Sequence, residues 1–312
     1  MEYGVWKSYD ITKRRPQVLV LGNGLSYNTS VSWHDLILKV ARSGVDPRNY
    51  ENETKTGFHL PNTVMTLATS IVEDHARHEK YAALLNKKSY PQNRNLQALL
   101  SMPFDAVLTT NYSYEAEAEL YRSYPGLSRR GKLNYAKTTQ EAPDRKYLLH
   151  SFNRLKPDAP DIWHIHGELR CPSSIVLSHD EYARLIHEII KHNKARADDY
   201  QRHASDLKFQ SWVDYFLVGD VYVLGLTMDF SEFDLWWLLG RRLREKSGCG
   251  KCVFYEPEKK ESFYKQAALQ DAGVRVERCG VSIDAGGSYA DFYQKAVAAL
   301  REELQSFSKT SP

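Results

Sequence analysis

Three observations predict a doubly wound, mostly parallel α/β sheet carrying helical insertions. Short β-branched and apolar runs alternate with helical patterns along the whole chain, the rhythm of a parallel sheet built from strand–helix–strand units. Several runs are apolar on consecutive residues instead of alternate ones, as strands covered on both faces must be. Glycines and polar residues gather where these runs end, on the side where open α/β sheets hold ligands.

The chain is organised around Gln17 to Ser26, QVLVLGNGLS, which reads as the first, central strand and the turn after it. Gly22 and Gly24 remove two Cβ atoms from that turn and let backbone N–H groups approach a phosphate, and Ser26 adds a hydroxyl. The turn is not the dinucleotide fingerprint G-x-G-x-x-G, because Tyr27 stands where the third glycine would be. A helix follows in SWHDLILKVARSG, and a second helical pattern from Pro61 carries Val64, Leu67, Ile71 and Val72, with shorter pieces at Tyr81 to Asn86 and Asn95 to Leu100.

Phe104 to Thr110 is the second buried strand, ending at Asn111 and Tyr112, and YEAEAELYRS after it is a helix, acidic first and basic last. Residues 124–161 hold prolines, glycines and basic residues. They read as a solvated excursion from the sheet, since no aromatic pattern repeats beside the charges.

DIWHIHG, 161–167, is a third strand that places His164 and His166 on one face, and SIVLS, 174–178, is a fourth. From 179 to 217 the pattern is helical, with His187, His192 and His203 at the surface. Asp220 to Leu226 is again a buried strand. The helix after it opens on a capping box of Ser231 and Asp234 and ends with Arg241, Arg242, Arg244 and Lys246 in its last turn. KCVFYEPE (strand), SFYKQAALQDAG (helix, stopped by Gly273), VRVERCGV (strand) and a helix from Tyr289 to Phe307 complete the chain. It reads as a single Rossmann-like domain over residues 1–312, with a helical insertion near 58–100, the basic excursion near 124–161 and a second helical insertion near 179–217.

Composition narrows the function. The formal charge is only +3 across 312 residues, so no charge excess argues for a specific nucleic-acid or anionic-membrane partner. No apolar stretch approaches the roughly 20 residues of a membrane span, and the first segment lacks a signal-peptide pattern. The four cysteines are too sparse for a disulfide scaffold. A cytoplasmic protein is expected. Cys249 and Cys252 form one C-x-x-C pair without a second to complete a tetrahedral site, and His164 with His166 lacks a third ligand at an obvious spacing, so no metal is expected.

The polar residues at the strand ends, Gly22, Gly24, Ser26, Thr110, Asn111, His166, Gly225 and Thr227, would converge on one crevice. Together with their surroundings, GNGLS with SWHDL, LTTNY, HIHG with SIVLSHDEY, and LGLTMDFSEFDLWWLL, they resemble the sirtuin-like (silent information regulator two) superfamily. Within it, the chain is more similar to the bacterial NAD hydrolases of anti-phage defence than to the protein deacylases. The resemblance implies NAD as substrate. Gly22, Gly24 and Ser26 would hold the pyrophosphate, Thr110 would lie beside them, Asn111 would hold the nicotinamide ribose and a water, and His166 would be the catalytic base. Gly225 and Thr227 would contact the adenosine half, flanked by Tyr255 or Glu256.

Such residues suffice for the chemistry. Cleaving the ribose–nicotinamide bond passes through an oxocarbenium-like state, and the leaving pyridinium, already cationic, needs no acid. One base and one amide that orients water carry it. Ser113 stands where deacylases carry an aspartate that helps hold the nicotinamide amide, and their zinc module of two C-x-x-C pairs is missing. The resemblance also implies a homo-oligomer or a partner defence protein. Three functions follow: an NAD-depleting glycohydrolase, a protein deacylase, and a non-catalytic module that binds NAD or ADP-ribose.

Overall fold

The computed structural model describes residues 6–26, 79, 82–83, 85, 89–123, 135–136, 149–150, 152–155, 159–229, 231–245 and 249–310. The helices expected in SWHDLILKVARSG and from Pro61, and most of the basic excursion, lie outside the described residues.

An eight-stranded sheet forms the centre. In chain order its strands are β2 (Gln17–Leu21), β3 (Ala106–Thr109), β4 (Tyr135–Ala136), β5 (Phe152–Asn153), β6 (Asp161–His164), β8 (Asp220–Leu224), β9 (Cys252–Tyr255) and β10 (Arg275–Glu277). Their spatial order is β10-β9-β8-β2-β3-β6-β5-β4. The six from β10 to β6 are parallel, while β5 and β4 add antiparallel at one edge. The 124–161 segment is therefore not purely an excursion from the sheet, since β4 and β5 within it extend that edge. A separate antiparallel pair joins β1 (Ser8–Tyr9) to β7 (Leu207–Lys208).

Period-2 alternation divides the core between the two faces. Val18 and Val20 of β2 pack with Leu108, Trp163, Val223 and Phe254. That face is covered by α3 (His179–Arg196), α5 (Trp212–Val218) and α6 (Phe233–Arg244). Leu19 and Leu21 point the other way, into a core with Val107, Ile162, Leu224 and Tyr255. There the cover is α1 (Arg94–Leu100), α2 (Glu115–Ser123) and α8 (Tyr289–Thr310). A short α4 (Asp199–Arg202) follows α3, and α7 (Phe263–Asp271), stopped by Gly273 at φ +79°, links β9 to β10. Helices on both faces make the sheet doubly wound.

Two local expectations are corrected. SIVLS is not a strand: the backbone of Val176 is taken by the carbonyl of His166 and the hydroxyl of Tyr112, and the N–H groups of Leu177 and Ser178 donate to the Glu181 carboxylate at the start of α3. Nothing is left for a ladder. Nor is His192 a surface residue, because its Nε2 lies 2.9 Å from the buried Asp214 carboxylate.

Arg242 has a further role beyond closing its own helix. It is 5% exposed and donates to the carbonyls of Phe216, Leu217 and Gly219 at the carboxyl end of α5, and to those of Gly250 and Lys251 ahead of β9. A fixed cation thus satisfies the orphan carbonyls of a neighbouring helix.

Candidate active site

The chain order of the six parallel strands reverses between β2 and β8, which makes that crevice the topological switch point. The loops that leave the two strands lie against each other there. Gly22 N–H donates to Leu224 O at 3.1 Å, and Gly24 N–H to Gly225 O at 2.7 Å. A Cβ on Gly22 would overlap the Gly225 carbonyl, one on Gly24 would overlap that carbonyl and the Tyr293 hydroxyl, and Gly225 itself sits at φ +75°. The glycines are thus required for loop-on-loop contact, and the N–H groups expected to meet a pyrophosphate are spent inside the protein.

Gly22→Ala should therefore cost about 1–3 kcal/mol of stability, the usual price of overpacking. Gly240→Ala, with nothing within 4 Å of the added Cβ and a helical position, should be neutral or stabilising by up to ~1 kcal/mol. Urea denaturation of the two variants checks the pair.

Asn111 follows β3, the strand next to β2. Its backbone is held from both sides: the N–H donates to Thr109 Oγ1 at 3.1 Å, and the carbonyl accepts from His164 Nδ1 at 2.6 Å. Thr109 Oγ1 in turn donates to Leu21 O, and Thr110 N–H also donates to Leu21 O, which ties the start of this loop to the central strand. The side-chain amide of Asn111 makes no hydrogen bond among the described residues. Ser113, two residues on, donates to Glu115 at 2.7 Å, which puts a carboxylate beside the serine that stands in place of the deacylases' aspartate.

His164 and His166 do not share a face. Strand β6 ends at His164, and a turn carries the chain through Ile165 and His166. His164 Nε2 lies 2.8 Å from Glu117 Oε1 of α2, on one side of the sheet. His166 Nε2 lies 3.0 Å from Asp234 Oδ2 of α6, on the other.

The partners fix the protonation states. Both ring nitrogens of His164 face pure acceptors, a carbonyl and a carboxylate, so both must donate. Burial pulls its pKa down, but the charge and hydrogen bond of Glu117 outweigh that and raise it to about 9. Glu117 is held below the usual carboxylate range: burial opposes this, and the His164 charge and hydrogen bond with the Asn153 amide prevail.

In His166, Nε2 carries the proton toward Asp234, and Nδ1 has no hydrogen-bond partner among the described residues. Burial again lowers its pKa, and the charge and hydrogen bond of Asp234, then the Glu232 charge, raise it overall. Glu232 Oε2 stands 3.7 Å from the same Nε2 and accepts from the Tyr182 hydroxyl at 3.2 Å. Its own carboxyl is pushed up to about 7 by burial, with Asp234 and Asp229 adding and His166 opposing.

The capping box expected of Ser231 and Asp234 is not formed. Helix α6 begins at Phe233, with Glu232 before it and no side-chain cap, and the Asp234 carboxylate is turned to His166 instead. The loop that delivers it passes through Met228 at φ 49°, a left-handed conformation costly for a non-glycine residue and concentrated at functional sites. His166, Glu232 and Asp234 bring three donor atoms within 4.8 Å of one another. The 3.0 Å hydrogen bond accounts for that closeness without a cation.

At the far side of the crevice Thr227 is exposed, and its carbonyl accepts from Lys265 Nζ at 2.6 Å, a lysine also bound to Glu256. Tyr255 is removed from the expected set: its ring is 2% exposed within the core and its hydroxyl meets Glu303 of α8. Residues that alternate along a strand point to opposite faces, so a strand-end position does not by itself turn a side chain to the crevice. All four cysteines are free thiols, with Cys252 buried in β9. Because the sequence has one C-x-x-C pair and no second, purified protein should carry less than one zinc per chain and keep its fold in chelator. One tightly held zinc in elemental analysis would contradict this.

No helix among the described residues is long and apolar enough to cross a membrane. No curated protein matches the chain. Residues 105–213, which carry β3, Asn111, both histidines and the helices as far as α5, match the family model described as a SIR2-like domain. Over that stretch the chain is similar to SIR2-like domains, which supports a sirtuin-like superfamily assignment, and the doubly wound sheet around it is consistent with one.

Proposed function

We propose that this protein is an NAD glycohydrolase, cleaving NAD to nicotinamide and ADP-ribose, and that it acts as an NAD-depleting effector of bacterial anti-phage defence. The SIR2-like match supports NAD involvement in general. The observation that carries the hydrolytic reading is the pairing of His166 Nε2 with Asp234, which orients the ring and leaves Nδ1 without a partner among the described residues. One strand away stands the uncommitted amide of Asn111.

On this reading the loops after β2 and β8, with Gly22, Gly24, Ser26, Gly225 and Thr227, line the crevice that takes the dinucleotide, and Thr110 and Asn111 border the nicotinamide ribose. Asn111 orients a water. His166 removes its proton as the bond to nicotinamide breaks. The leaving group departs neutral, so no acid is required. A deacylase would need the zinc module, and the chain has only four cysteines with one C-x-x-C pair.

Chromatography of NAD incubated with the protein, with and without an acetyl-lysine peptide, tests the proposal. Nicotinamide and ADP-ribose should appear in equal amounts without the peptide. Release that requires the peptide, with transfer of the acetyl group, would replace this reading with deacylation, and binding without release would leave a sensor module.

A further inference from the structure

Two carboxylates stand behind His166, and a fixed tautomer needs only one. Asp234 is fully buried and bonds Nε2 at 3.0 Å. Glu232, 3.7 Å from the same nitrogen, differs in that its side chain is 15% exposed and lies before the first turn of α6. It is the member of the cluster that reaches toward solvent. Resting on the reading of the site as an NAD hydrolase, we propose that Glu232 is the proton outlet of His166, with Asp234 as the fixed counter-ion that orients the ring.

The oxygen of water bonds to C1′ of the ribose, the C1′–nitrogen bond breaks, and its electron pair goes to the pyridinium nitrogen, so nicotinamide leaves neutral. The proton of the water goes to His166 Nδ1. The Nε2 proton then passes to Glu232 and from there to solvent, and before the next turnover Nδ1 gives up its proton to solvent as Nε2 regains one through Glu232, which restores the starting tautomer. One proton is released for each NAD cleaved.

The surroundings suit this task. Tyr182 of α3 donates to Glu232 and packs edge-on to the His166 ring, with centroids 5.4 Å apart. Asp229, in the loop before α6, faces Glu232, and Tyr112 faces Tyr182. Burial, opposed by the His166 charge and reinforced by Asp234, raises Glu232 to about 7, so this carboxyl can both take up and release a proton near neutrality. A carboxylate held far below that range would anchor the ring without accepting its proton.

Glu232→Gln keeps the size of the side chain and an oxygen for Tyr182, and cannot take up a proton. In an enzyme that hydrolyses NAD, this change should lower kcat near neutral pH by roughly tenfold to a hundredfold with KM for NAD unchanged, less than loss of the base itself. The kcat–pH profile should lose one of its inflections, and Glu232→Asp should restore it. Nitrogen NMR of labelled imidazoles gives a readout independent of turnover: His166 should titrate with two inflections in the wild type and one in Glu232→Gln. If wild type cleaves NAD and Glu232→Gln matches it in rate and profile, the relay is wrong and the hydrolase reading stands. If His166 titrates with a single inflection in both, the relay is likewise overturned. If wild type releases no nicotinamide, the hydrolase reading fails and takes the relay with it.

Discussion

Replacing Asn111 by alanine is expected to lower NAD cleavage by roughly 10²–10⁴-fold while stability stays within about 0.5 kcal/mol of wild type. The two effects separate because the side-chain amide makes no hydrogen bond among the described residues, and the backbone that positions it is held independently by Thr109 and His164. Changing His166 should cost activity to the same degree. It differs in stability, since His166 is 2% exposed and is the hydrogen-bond partner of the fully buried Asp234. An alanine there would leave a buried carboxylate unpaired, so His166→Gln, whose amide can still donate to Asp234, is the informative variant. Turnover by folded protein, compared where wild type hydrolyses NAD, decides both. Wild-type turnover in either folded variant would remove that residue from the site.

The largest stability effect is expected at Glu117. It is 0% exposed, accepts from His164 and from Asn153 of β5 at 2.8 Å each, and so joins α2, the sheet edge and the nitrogen ring that grips the Asn111 carbonyl. Glu117→Ala strands a buried imidazolium and should cost about 3–5 kcal/mol. That is a large share of the roughly 5–15 kcal/mol by which a domain is stable.

The sign of the pH dependence follows from the two shifts. His164 is raised to about 9, so its contribution is complete below about pH 6.5 and is lost as pH rises through 9. Glu117 is lowered, so its contribution is complete above about pH 4.5 and is lost as pH falls through its depressed value. The pair is strongest between these limits. The urea midpoint of wild type should therefore fall between pH 6.5 and 9 more steeply than that of Glu117→Gln. Parallel curves would show that the pair is neutral in the folded protein.

The sheet was legible because its signals are local. Four consecutive apolar residues at Val18 to Leu21 could be satisfied only by cover on both faces, and the structure supplies it. The β1–β7 pair and the edge strands β4 and β5 were not legible, since two-residue strands leave no periodicity to read. For the candidate site, sequence patterns singled out Asn111 and His166 but not the carboxylates packed against His164 and His166. Glu117 looked like one acid among three at the start of a helix, and Asp234 like a cap. Each is a pattern that surface helices share, and only the packing of α2 and α6 on opposite faces of the sheet shows which acids are buried against a histidine. His164 and His166 were set on one face by an alternation that holds within a strand and fails at the turn after His164.

The bond that an NAD glycohydrolase cuts is the one between ribose and nicotinamide. Proton NMR of NAD in the presence of the purified protein follows that bond directly. The resonances of ribose-bound nicotinamide should decay as free nicotinamide and the anomeric protons of ADP-ribose grow in equal measure, with the adenosine half intact and no acyl acceptor or donor added. Growth of nicotinamide mononucleotide and AMP would place the cut at the pyrophosphate, and an unchanged spectrum under every condition in which the folded protein binds NAD would contradict hydrolysis altogether.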